Sequence, residues 1–147
     1  MKLSTTCAAV FLAAGMACSA MAGAASLNPD TYLMSQSVLT KMKAAEADLA
    51  RAGHKSDGRD DDEDDDKDDP TVEEVMRMID SDKAVKAVLA KHGLTSRDYA
   101  LTSFAMLHAG FFVMMESAMD KKKAAELMAT YTKEQRANIA LVRTIKK

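Results

Sequence analysis

The chain is 147 residues long, with no Trp, four Phe, three Tyr, two Pro, six Gly and a formal net charge of −2. That length holds one domain with one core, and a composition rich in Ala, Met, Lys and Glu favours helix over strand. So little Pro and Gly excludes a many-stranded sandwich, and no period of a few tens of residues marks a solenoid.

The first residues have the pattern of a targeting segment. Lys2 precedes an apolar run, Cys7 to Ala17, and small residues follow at Ala20-Met21-Ala22 and Ala22-Gly23-Ala24. A basic start, a short apolar stretch and an A-x-A site together predict a cleaved secretory signal over residues 1–24, cut after Ala22 or Ala24. The run falls short of the roughly 20 residues a membrane span needs. Lipidation at Cys18 would want a Leu upstream, where Gly15-Met16-Ala17 stand. Both cysteines, Cys7 and Cys18, fall inside this segment. The processed chain, a single helical domain over residues 25–147, is therefore expected in the periplasm or medium without disulfide, thiol nucleophile or thiolate ligand.

A first helix is expected from about Asp30 to Ala52, with Val38, Met42, Ala45 and Leu49 as its stripe, widened by Tyr32, Leu33 and Leu39. Gly53 stands where a left-handed helix terminus wants a glycine. Next comes an acidic run. Asp57 to Asp69 sets ten acids against Arg59 and Lys67, a net of −8. Residues 54–69 contain no apolar side chain to offset ordering entropy, which predicts a disordered acidic loop.

Pro70 and Thr71-x-x-Glu74 open a second helix faced by Val72, Val75, Met76 and Ile79. Ser81 or Asp82 caps a third, faced by Val85, Val88 and Leu89 and closed by Gly93; one helix bent near Asp80 fits the pattern equally well. Thr95-x-x-Asp98 then starts the stretch around which the fold is expected to form, Tyr99 to Met119, with three of the four Phe and four of the twelve Met. A helix apolar on most of its circumference belongs in the interior. Its thin polar edge is Asp98, Thr102, Ala109, Glu116 and Asp120, and Gly110 in mid-helix allows a neighbouring backbone to come close. Beyond Asp120, Ala124 to Tyr131 is expected to bury Leu127, Met128 and Tyr131. A third capping box, Thr132-x-x-Gln135, begins a last helix striped by Ile139, Val142 and Ile145, with Leu141 alongside. Eight basic groups and two acids fall between Lys121 and Lys147.

Two sets of side chains suggest metal chemistry. Carboxylates Asp60, Asp61, Asp62, Asp64, Asp65 and Asp66 supply the oxygens a hard cation wants. The alternate spacing and turn glycine of a calcium loop are missing, however, so they describe loose divalent-cation binding. His108, Met115 and Met119 follow helical spacing and offer the soft ligands that suit Cu(I). Methionines beside Phe104, Phe111 and Phe112 more often describe core filling, because the flexible thioether packs irregular gaps. No C-x-x-C-H, G-x-S-x-G or H-E-x-x-H occurs, so no haem attachment, hydrolase or zinc protease site is indicated. Ser103 and His108 point to different sides of one helix, and Glu116, two turns away, is a candidate to orient His108. The basic end lacks an aromatic platform or an Arg cluster, which argues against nucleic acid.

The segments His92 to Thr102 (HGLTSRDYALT) and Asn138 to Thr144 (NIALVRT), with the leading signal, resemble small exported bacterial α-helical proteins of uncharacterised function. The resemblance implies a helical bundle in the envelope and carries no activity, cofactor or catalytic residue. The expectation is an all-α bundle of four to six helices around one central apolar helix. It would be a non-enzymatic interaction or structural module with an envelope partner, no cofactor and no membrane span after processing. The alternative is a metal-binding protein.

Overall fold

Short-range capping sets the helix limits. The computed structural model describes residues 27–54 and 70–145, and among these residues the protein is all-α, with six α-helices and no strand. The helices are α1 (Gln36–Arg51), α2 (Val72–Ser81), α3 (Lys83–Lys91), α4 (Ser96–Glu116), α5 (Lys121–Thr130) and α6 (Lys133–Ile145). The expected signal segment and the acidic run, with Asp60, Asp61, Asp62, Asp64, Asp65 and Asp66, lie outside the described residues.

The three anticipated capping boxes are all formed. Thr71 accepts from the Glu74 N–H while Glu74 accepts from the Thr71 N–H. Thr95 with Asp98, and Thr132 with Gln135, repeat the arrangement. At the other ends, Gly53 and Gly93 adopt φ of 80° and 66°, a region open to glycine at little cost. Each closes a Schellman motif. Gly53 N–H donates to Ala50 O and His54 N–H to Leu49 O, and Gly93 N–H donates to Ala90 O and Leu94 N–H to Leu89 O. Leu94 and Leu89 then pack together in the core.

Two helix starts differ from expectation, that of α5, at Lys121 instead of Ala124, and that of the first helix. The first helix starts at Gln36, not near Asp30. Asn28 accepts from the Asp30 N–H at 2.9 Å and caps a single 3-10 turn, Pro29–Thr31, after which Tyr32 to Ser35 run extended. Ser35 begins α1 by accepting from the Val38 N–H at 3.1 Å. Residues 27–35 thus form a strap. The α2–α3 region is two helices, because Asp82 takes an extended conformation and accepts from both the Ala84 and Val85 N–H groups.

The core is built in three patches. Met42, Ala45, Ile79, Leu89 and Leu94 join α1, α2 and α3. Val72, Ala100 and Leu101 join α2 to the first half of α4. Met34, Ala105, Ala109, Phe112, Ile139 and Val142 join the strap, the second half of α4, and α6. Helix α4 packs most extensively against α6 and α2, and also meets α1, α3 and the 3-10 turn. Charge pairs reinforce two seams. Asp48, 14% exposed, accepts from Lys91 at 2.7 Å, lies 2.9 Å from His92 Nε2 and pairs with Arg51, tying α1 to α3. Glu116 takes Arg143 of α6 in a two-pronged contact.

The orientation of α4 corrects the sequence reading. Thr102 and Ala109, expected on a polar edge, are 0% and 2% exposed, whereas Leu107, Phe111, Met114 and Met115 are 71%, 57%, 58% and 40% exposed. The helix is apolar all round, so the side that is buried is decided by its neighbours. Small side chains let α6 and the strap come close, and Thr102 is accommodated because its hydroxyl meets Tyr32 Oη at 3.0 Å. Leu33, Leu127 and Ile145, expected to face inward, are also exposed.

Candidate functional site

The strap forms one wall of a cleft beside α4. It is held by three residues of α6 and its cap spaced three apart. Thr132 Oγ1 donates to the Asp30 carbonyl. Gln135 Nε2 donates to Asp30 Oδ1 at 2.6 Å. Asn138, 2% exposed, accepts from the Met34 N–H at 2.9 Å and donates to the Tyr32 carbonyl at 2.8 Å. An extended segment cannot satisfy its own backbone, so an amide on α6 supplies the donor and acceptor that a neighbouring strand would otherwise provide.

Between the strap and α4 opens a cleft of about 380 Å³, lined by Pro29, Asp30, Phe104, Leu107, His108 and Phe111, with Ala105 at its base. That is within the range of small-ligand pockets, roughly 300–1,000 Å³, but it opens directly onto the bare side of α4. Its polar groups are few. Gln135 has its amide oxygen on the Thr132 N–H, so its amide nitrogen is the donor to Asp30 and, at 3.2 Å, to His108 Nδ1. With Nδ1 accepting, the ring proton of His108 sits on Nε2. Tyr131 packs edge-on to the ring at 4.9 Å and to Phe112 at 5.5 Å.

The residues singled out from the sequence are not brought together. His108 is held by Gln135 and Tyr131. Met115 lies on the exposed side of α4. Met119 falls beyond the end of α4, against the core formed with α6. Glu116 engages Arg143, not His108, and Arg143 holds its carboxyl below the usual carboxylate range. Ser103 Oγ is spent on the Tyr99 carbonyl at 2.9 Å. No group of three or more His, Cys, Asp or Glu able to share a metal ion occurs among the described residues. No described helix is long and apolar enough to cross a membrane.

What the sequence reading missed is the outward stripe. Phe104, Leu107, Phe111, Met114 and Met115 recur at three- and four-residue steps. The four most exposed of them leave roughly 450 Å² open if each large side chain presents about 200 Å². The largest apolar patch on an ordinary monomer is about 300–600 Å² and is often functional. Excess hydrophobicity around α4 was a signal in the sequence, since one helix cannot hide every side of itself among five partners of which one, α5, buries no residue. No family model, curated protein or solved structure matches the chain.

Proposed function

We propose that this chain is an exported, non-enzymatic interaction module of the cell envelope, a bundle arranged about α4 whose working surface is the bare stripe of that helix. The observation that carries the reading is the exposure of Leu107, Phe111 and Met114 on a helix whose opposite side is fully packed. A helix presenting apolar side chains at positions i, i+4 and i+7 matches the way helical partners are gripped. The cleft adds apolar surface and a single polar chain, Asp30–Gln135–His108. It supplies no nucleophile beside a base, which acyl or glycosyl transfer needs. The leading segment, with its A-x-A sites, supports export.

Site-specific photocrosslinking in cells tests this reading. A photoreactive side chain at Leu107 or Met114 is expected to give discrete higher-mass adducts, and the same probe at Lys43 or Lys86, exposed elsewhere, none. Equal labelling from all four positions, or none from the stripe, would refute it.

A further inference from the structure

We propose that the partner of the α4 stripe is a second copy of this chain, paired antiparallel about the Gly110–Phe111 step; the proposal rests on the interaction reading above and names its occupant.

Three observations converge. First, a glycine in a helix interior is destabilising relative to alanine, and nothing among the described residues uses the room at Gly110. A Cβ placed there would meet no atom within 4 Å. Leu107, Gly110, Phe111 and Met114 fall at i, i+3, i+4 and i+7, so the bare backbone lies beside the exposed apolar side chains. Second, the pattern is self-complementary, as a two-fold interface demands. Reversing one copy about the Gly110–Phe111 step sets each Phe111 over the partner copy's Gly110 backbone and each Leu107 against Met114. Third, the charges flanking the stripe have opposite signs. Lys121, Lys122 and Lys123 are exposed just beyond its C-terminal end, and Asp30 is exposed on the rim of the cleft beside Leu107, His108 and Phe111. An antiparallel pairing brings lysines toward carboxylate and opposes the helix dipoles, whereas a parallel one would set lysines against lysines.

The patch is about half of the roughly 800 Å² per partner that a standard stable interface buries. The dimer is therefore a weak one, formed at micromolar to higher concentration.

Sedimentation equilibrium of the full gene product, purified as the cell processes it and studied from about 1 to about 500 μM, tests the pairing. A reversible monomer–dimer equilibrium, weakened by added salt, is expected. Gly110→Leu fills the open space with a good helix former, so at dilute concentration it should melt no lower than the parent. It should nevertheless raise the dimer dissociation constant by at least about tenfold, and Leu107→Glu should do the same. A parent chain that stays monomeric throughout, or a Gly110→Leu variant that pairs as tightly as the parent, overturns the proposal. Should the parent be monomeric while the Leu107 probe still captures other proteins in cells, self-pairing fails and the interaction reading survives. Should neither occur, both fail.

Discussion

Replacing Asn138 with Ala is the sharpest test of how the strap is held. The side chain serves two buried backbone groups 104 and 106 residues away in sequence, the Met34 N–H and the Tyr32 carbonyl. Alanine removes both partners at once and leaves space too confined for an easy replacement, because Asn138 is 2% exposed. Each orphaned group costs about 1–3 kcal/mol, so a loss of about 3 kcal/mol is expected. For a domain of this size each kcal/mol moves the midpoint by about 4 °C, which makes the drop about 12 °C. Circular dichroism melts and urea titrations read it directly, and hydrogen exchange at the Met34 amide should accelerate toward that of an open segment. A loss below about 1 kcal/mol would refute the reasoning. It would mean that residues 27–35 peel from α6 and satisfy themselves with water, outside the cooperative unit, and the cleft beside α4 would then have no fixed wall.

Other outcomes follow from the same structure. Phe112→Ala should destabilise by about 3–5 kcal/mol, as expected for a buried aromatic, while Leu107→Lys on the opposite side of the helix should stay within about 0.5 kcal/mol; comparable losses would mean that the sides of α4 are assigned wrongly. Gly110→Ala should stabilise the monomer by about 1 kcal/mol, measured by urea unfolding at low concentration. Asp48, held by Lys91 and then His92, has its pKa lowered from 3.8 to about 2. A depressed carboxylate stabilises the fold above its unfolded pKa and loses that effect as pH falls through the folded one. Asp48→Asn should therefore shrink the fall in stability between about pH 4 and pH 2, and an unchanged acid limb would contradict the α1–α3 assignment. Deleting residues 57–69 should leave helix content and midpoint unchanged.

Much of the architecture was legible because capping is local. Thr71, Thr95 and Thr132 each find their partner three residues on, and Gly53 and Gly93 end helices by their own conformational freedom. The stripes of α1 and α2 were legible for a related reason. Met42 and Ala45, or Val72 and Ile79, stand out against charged neighbours, so only one side of each helix is fit for burial. The strap was not legible. Val38, Leu39 and Met42 extend a helical pattern back toward Tyr32, which hides the break that Ser35 makes.

The candidate site escaped for the opposite reason. With Phe, Leu and Met on nearly every side, α4 carries no periodic contrast, and its Thr and Ala positions look like a wet edge. Thr102 is interior because Tyr32 brings it a hydroxyl, and Ala109 because α6 can approach a small side chain. Sequence alone determined the helix ends marked by a capping box or a terminal glycine, since those are contests among groups within five residues of one another. Which side of α4 is enclosed, and so which remains bare for a partner, depended on contacts between residues as much as 106 positions apart, and only the assembled tertiary structure could decide it.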